Sequence, residues 1–124
     1  MGISKKILVV EDVPDISDLV EELFRHEGYE VENAPNGKVA LARLRAGPPP
    51  CLILLDLTMP VMDGDSFRAE QLKDPALAKV PVYVMSAHRD VAGRAKALGV
   101  DGYFCKPFGL DDILAVARAC CAKN

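Results

Sequence analysis

Side chains with reactive chemistry follow four of the short apolar runs in this sequence. Glu11 and Asp12 come after ILVV, Asp56 after LILL, Ser86 after VPVYVM and Lys106 after GYFC. Each run has the length and composition of a buried strand. If the strands are parallel, their carboxyl ends lie at the same edge of one sheet, and the five side chains meet there.

This set of side chains predicts a site for a divalent cation and a phosphate group. Carboxylates ~4 Å apart repel by roughly 4 kcal/mol per pair at an effective dielectric constant of ~20, and Lys106 is a single positive charge against three of them. Mg²⁺ takes oxygen ligands, typically one or two carboxylates with water and phosphate. Beside this ion and a lysine, Asp56 could attack phosphorus to form an acyl phosphate, and the Ser86 hydroxyl could donate to a phosphoryl oxygen.

The spacing of apolar residues predicts the elements that must position this site. We expect strands at residues 7–10, 29–34, 52–55, 80–85 and 102–105. The clearest helix begins at Pro14 and repeats apolar residues at helical spacing as far as Phe24. Further helices are predicted around residues 39–44, 67–72, 91–98 and 110–121, and the segment KDPALAKVP is predicted to be a loop. This alternation predicts an α/β fold: a parallel sheet with right-handed crossovers and helices on both faces.

Length and composition favour one domain over residues 1–124, because the chain is long enough to bury a core without metal or disulfide support. The net charge of −3 gives no overall attraction to nucleic acid or anionic lipid. No apolar run is long enough to cross a bilayer, and the first residues turn acidic before a signal sequence could form. We therefore expect a cytoplasmic protein without membrane insertion or direct nucleic-acid contact.

The cysteines at positions 51, 105, 120 and 121 do not have the spacing of a zinc site. In a cytoplasmic protein, cysteines are usually reduced. We therefore expect four reduced thiols that serve in packing, and no disulfide.

The segments VVEDVPDI, LILLDLTMPVMDG, VYVMSAH and GYFCKPF resemble the receiver domain of bacterial two-component response regulators, and the match covers nearly the whole chain. An aspartate after an apolar strand, followed by x-x-Met-Pro-x-Met-Asp-Gly, is a specific signature of that family. The resemblance implies a single-domain, CheY-like receiver. Its fold would be flavodoxin-like and doubly wound, with strand order 2-1-3-4-5 and five helices.

The resemblance also implies roles for the residues at the sheet edge. Asp56 would be the phospho-acceptor, and Lys106 would pair with the phosphoryl group. Mg²⁺ would be held by Glu11, Asp12, Asp56 and the backbone carbonyl of Thr58.

Other positions match the residues that respond to phosphorylation in members of that family. Ser86 would be the switch hydroxyl and Tyr103 the aromatic switch residue. Ala87 leaves room beside the phosphoryl group, and Thr58 and His88 stand where the family tunes the phosphoryl lifetime. We expect the three to modulate dephosphorylation without deciding whether it occurs.

The implied mechanism begins with phosphoryl transfer from the phosphohistidine of a sensor histidine kinase or phosphotransfer protein. The added charge then changes the surface of the fourth helix, fifth strand and fifth helix, which alters binding of a protein target. The chain would catalyse only its own phosphorylation and autodephosphorylation. It would act as a monomer or as a phosphorylation-dependent dimer.

Two alternatives remain open. A phosphatase of the haloacid dehalogenase type uses a similar set of groups, but its motif has a second aspartate where this chain has Thr58. A receiver fold could also be a docking module that works without phosphorylation, although its acids would then repel without compensation.

Two further expectations concern Gly93 and Pro107. Gly93 lies in the middle of HRDVAGRAKAL, the segment that we assign to the fourth helix; glycine there costs roughly 1 kcal/mol relative to alanine, and we expect it to soften that helix. The resemblance implies a cis peptide bond before Pro107.

Overall fold

The computed structural model describes residues 5–57, 64–86, 89–106 and 109–121, apart from the side chains of Pro14 and Ile16. Its strands are β1 (Lys6–Val10), β2 (Glu30–Ala34), β3 (Leu52–Asp56), β4 (Val82–Ser86) and β5 (Gly102–Cys105). All neighbouring pairs are parallel, and the order is β2-β1-β3-β4-β5. The predicted strands and their order are confirmed.

The helices of the described residues number six, one more than predicted. They are α1 (Pro14–His26), α2 (Gly37–Ala46), α3 (Gly64–Leu72), α4 (Pro75–Ala78), α5 (Val91–Leu98) and α6 (Leu110–Cys121). The additional helix, α4, lies in the predicted loop. It forms because Pro75 stands in its first turn and the Asp74 carboxylate accepts a hydrogen bond from the Ala76 N–H. One turn is too short to show helical periodicity in the sequence.

Apolar side chains alternate between the two faces of the sheet, and each face is covered by helices. Leu8 and Val10 belong to a cluster that includes side chains of α2, α3, α4 and α5. Ile7 and Val9 belong to a second cluster, with side chains of α1 and α6. The doubly wound arrangement predicted from the sequence is therefore confirmed. Among the described residues, no helix combines the length and the apolar character that a membrane span requires.

The place of Gly93 within α5 differs from the prediction. Asp90 caps the helix by accepting a hydrogen bond from the Gly93 N–H at 3.2 Å, so Gly93 lies in the first turn and not in the middle. A Cβ added at Gly93 would lie within 2.6 Å of both Asp90 carboxylate oxygens. Glycine at this position therefore leaves room for the cap, which is a physical reason for it other than softening the helix.

The prediction of four reduced thiols is wrong for one pair, because Cys51 and Cys121 form a disulfide. Cys51 immediately precedes β3, and Cys121 is the last residue of α6. They are 70 residues apart in the sequence, but α6 runs antiparallel to the strands and returns to the amino end of β3. Cys105 and Cys120 are not part of a disulfide.

Candidate functional site

The parallel sheet brings the predicted reactive residues to one edge. Asp56 and Ser86 are the last residues of β3 and β4, whereas Glu11 and Lys106 directly follow β1 and β5. Sheet hydrogen bonds fix the two residues beyond the strands: the Glu11 N–H donates to the Ala34 carbonyl at 3.0 Å, and the Lys106 N–H donates to the Ser86 carbonyl at 2.9 Å.

A buried ion cluster stands at the centre of this edge. The Lys106 ammonium donates to Glu11 Oε1 at 3.0 Å and to Asp56 Oδ2 at 3.3 Å. Glu11 is 1% exposed and Asp56 is 4% exposed. The other Glu11 oxygen accepts a hydrogen bond from the Val13 N–H at 3.2 Å, which orients the carboxylate. One lysine thus bridges two carboxylates that lie at the ends of adjacent strands.

Burial disfavours the charged form of Glu11, whereas Lys106 keeps its charge in the same cluster. Burial raises the pKa of Glu11 to about 7; Asp56 adds to this shift, and Lys106 opposes it. Burial acts to lower the pKa of Lys106, but the hydrogen bonds and negative charges of Glu11 and Asp56 outweigh it, so that the pKa is raised. The lysine therefore stays protonated, whereas the Glu11 carboxylate is destabilised without a further cation.

Asp12 completes a set of oxygen ligands. It is exposed, and carboxylate oxygens of Glu11, Asp12 and Asp56 all lie within 4.8 Å of one another. Hard oxygen ligands at this spacing suit Mg²⁺, which prefers carboxylates and retains water. A divalent cation would also stabilise the Glu11 carboxylate, whose charged form is disfavoured by burial and by Asp56. The donor set and the electrostatics both fit the predicted ion.

The two predicted switch residues occupy different environments. Ser86 is 4% exposed at the end of β4, one residue beyond Met85, which pairs with Asp56. Tyr103 lies on the edge strand β5, where it pairs with Val84, and is 45% exposed. Ser86 is thus buried at the end of β4, the strand next to the one that carries Asp56, whereas Tyr103 is at the surface.

Thr58, Ala87, His88 and Pro107 lie outside the described residues. The predicted metal-binding carbonyl, the tuning positions and the cis peptide bond therefore stay predictions.

One positioning residue is apparent only from the structure. A Cβ added at Gly64 would lie 2.8 Å from Leu57 Cα and 3.1 Å from the Asp56 carbonyl oxygen. The Gly64 N–H also donates to the Leu57 carbonyl at 3.2 Å. Glycine thus lets α3 begin directly against the end of β3. The sequence gives a weak signal for this contact, a glycine where a helix begins.

A further missed residue is Arg68, a buried arginine of α3. Its guanidinium donates to the Leu98 carbonyl at 3.1 Å, to the Gly99 carbonyl at 2.7 Å and to Gln71 Oε1 at 2.8 Å. It therefore holds the carboxyl end of α5 against α3. No pattern in the sequence distinguishes Arg68 from the exposed arginines.

Comparison with known proteins connects this geometry to a family. The model of the response regulator receiver domain matches residues 7–118. The chain is 38% identical over 120 residues to the transcriptional regulatory protein KdpE of Mycobacterium tuberculosis, covering 95% of this chain and 51% of that protein. It spans about half or less of the length of the curated relatives that it matches first.

Solved structures agree with the sequence comparison. The chemotaxis protein CheY4 of Vibrio cholerae superposes with a TM-score of 0.84 at 27% identity, covering 96% of this chain and 99% of that one. The receiver domain of the sensor histidine kinase PA1611 from Pseudomonas aeruginosa superposes with a TM-score of 0.86 at 25% identity, covering 97% and 99%. That structure has a magnesium ion coordinated in its active-site cleft.

Proposed function

Because this chain belongs to the receiver domain family of two-component response regulators, we propose that it is a phosphorylation-activated switch with Asp56 as the phospho-acceptor. The observation that carries the proposal is the buried contact of Asp56 with Lys106, 3.3 Å away, beside two further carboxylates. A carboxylate in this position has both a nucleophilic oxygen and an ammonium group ready to neutralise a phosphoryl oxygen.

In the proposed reaction an Asp56 oxygen attacks phosphorus, the O–P bond of an acyl phosphate forms, and the bond to the donor nitrogen breaks. Glu11, Asp12 and Asp56 would hold Mg²⁺, together with the Thr58 carbonyl that the family resemblance implies. When bound, this ion supplies positive charge that stabilises the transferring phosphoryl oxygens. Lys106 would exchange its contact with Asp56 for one with a phosphoryl oxygen, because the attacked carboxylate loses its charge.

Phosphorylation would then be read out through Ser86 and Tyr103. The buried Ser86 is at the correct end of β4 for its hydroxyl to donate to a phosphoryl oxygen, and the Tyr103 ring, which is exposed here, would move inward. The surface of α5, β5 and α6 would change with them. Water would later hydrolyse the acyl phosphate, at a rate that Thr58, Ala87 and His88 would tune.

Receiver domains work with histidine kinases and phosphotransfer proteins, and we propose that such a protein supplies the phosphoryl group here. The target would be another protein that recognises the changed surface, and the chain itself would not contact nucleic acid. It would act as a monomer or as a phosphorylation-dependent dimer.

Intact-mass spectrometry after incubation with a phosphoramidate donor and Mg²⁺ tests the proposal. The protein should gain one phosphoryl group, and Asp56→Asn should gain none. Turnover of a generic phosphomonoester should be absent, which separates a switch from a phosphatase. Absence of uptake by a folded protein that binds Mg²⁺ would contradict the proposal and favour a docking module.

A further inference from the structure

The disulfide between Cys51 and Cys121 lies at the opposite end of β3 from Asp56. Cys51 is the residue before the strand, Cys121 ends the last helix, and their Cα atoms are 5.3 Å apart. This Cα distance is usual for bonded cysteines. The bond connects α6 covalently to the central strand of the sheet.

The surroundings of the pair suit both redox forms. Cys121 is fully buried among apolar side chains, so its thiol would pack there as a small hydrophobic group. Cys51 is half-buried, and its sulfur lies 3.3 Å from the Lys6 carbonyl oxygen. In the reduced form this carbonyl can accept a hydrogen bond from the Cys51 thiol. Reduction therefore leaves no buried polar group without a partner at Cys51.

We propose that Cys51 and Cys121 form a reversible thiol–disulfide site that fastens α6 to the sheet, with low-molecular-weight disulfides as the oxidant. The half-buried Cys51 thiolate attacks a small disulfide, a protein–small-molecule disulfide forms, and one small thiolate leaves. The Cys121 thiolate then attacks the Cys51 sulfur, and the second small thiolate leaves. Two protein thiols are oxidised while one small disulfide is reduced to two thiols.

The effect of the bond follows from what holds α6 without it. Ile113, Leu114 and Ala117 pack into the apolar cluster on this face of the sheet, so the helix remains docked when the bond is reduced. The bond adds a constraint at the last residue of the helix, and it closes a loop of 70 residues, which restricts the unfolded chain strongly. Oxidation should therefore suppress opening of the last turn of α6 and raise the melting temperature.

The test equilibrates the folded protein in buffers of different ratios of reduced to oxidised glutathione, followed by alkylation and peptide mass spectrometry. Oxidising buffers should produce a peptide that joins Cys51 to Cys121, and reducing buffers should remove it without unfolding the protein. Amide exchange near residue 121 should be slower in the oxidised form. The melting temperature of the oxidised protein should be higher by about 5 °C or more.

Matched variants separate this site from the other cysteines. Cys120→Ser should keep the dependence of melting temperature on glutathione, because Cys120 is not part of the disulfide, whereas Cys51→Ser should lose it. If Cys51→Ser does not fold, the comparison of the oxidised and reduced natural protein still tests the proposal. Thiols that stay reduced in excess oxidised glutathione, a bridge to Cys105 or Cys120, or a bridge that is removed only after unfolding would each overturn the proposal.

Discussion

The two ends of β3 carry opposite kinds of chemistry. At the carboxyl end, Asp56 lies in an ion cluster with Glu11 and Lys106. At the amino end, Cys51 is joined to Cys121 and packs against an apolar cluster. The first end concentrates carboxylates that repel one another, whereas the second carries a covalent bond between α6 and the residue before β3. Stabilisation by the covalent bond can therefore offset the cost of the crowded carboxylates without any contact between the two ends.

The largest expected effect is that of replacing Lys106, which contacts Asp56 at the carboxyl end of β3. Lys106→Gln removes the ammonium group that contacts Glu11 and Asp56, so the transferring phosphoryl group loses this charged donor. The rate of phosphoryl uptake from a small donor should fall about 100-fold. Lys38→Gln, an exposed change in α2, is the control. Equal rates for both variants would show that Lys106 does not act on the phosphoryl group.

The next expected effect concerns how tightly α3 abuts the end of β3. A Cβ at position 64 would lie 2.8 Å from Leu57 Cα, so Gly64→Ala must displace backbone. The free energy of unfolding should fall by about 2 kcal/mol, and phosphoryl uptake should slow because Asp56 shifts. Gly47→Ala, where the nearest atom is Lys6 Nζ at 3.9 Å, should be close to neutral. Both changes are measured by urea denaturation, and equal stability of the two variants would refute the steric explanation.

A smaller effect, an increase in stability, tests the idea that the crowded carboxylates at the carboxyl end of β3 destabilise the protein. Asp56→Asn removes one of three crowded carboxylates, so without Mg²⁺ it should stabilise the protein by about 1 kcal/mol at neutral pH. Addition of Mg²⁺ should reduce or reverse the gain, because the natural chain then has its compensating cation. Asp18→Asn, on the exposed face of α1, should show neither effect. Destabilisation by Asp56→Asn in the absence of Mg²⁺ would contradict our electrostatic account.

The smallest expected effect is the coupling between the two ends. Cys51 and Asp56 are separated by the length of a five-residue strand, roughly 16 Å. At this distance stability changes usually add to within about 0.5 kcal/mol. In a double-mutant cycle of Cys51→Ser and Asp56→Asn, the coupling free energy should lie below that limit. A larger value would mean that the disulfide and the ion cluster act on one another through β3.

The group of reactive residues at the carboxyl end of β3 could be predicted from the sequence because each residue is marked by a local pattern. Each reactive residue follows an apolar run, and parallel strands bring the ends of such runs to one edge. The same reasoning found all the strands that the described residues form. It missed α4, whose single turn depends on an Asp-Pro cap rather than on an apolar pattern.

The disulfide at the amino end of β3 and the contacts between helices could not be predicted in this way. Cys51 and Cys121 meet because of where α6 ends, which the spacing of cysteines does not reveal. In the sequence, Arg68 resembles any exposed helical arginine. Its contacts with the carboxyl end of α5 exist only in the folded structure. The clash that an alanine would cause at Gly64 likewise depends on the path of the chain after β3. Such features are set by packing between elements that are distant in sequence.

The most direct test of the central claim is to locate the phosphoryl group. Borohydride reduces the acyl phosphate of an aspartate to homoserine with release of phosphate, and peptide mass spectrometry then identifies the residue. After phosphorylation in Mg²⁺ and reduction, homoserine should appear at position 56 and at no other aspartate. Homoserine at Asp12, or no conversion in protein that has gained a phosphoryl group, would contradict the assignment of Asp56 as the phospho-acceptor.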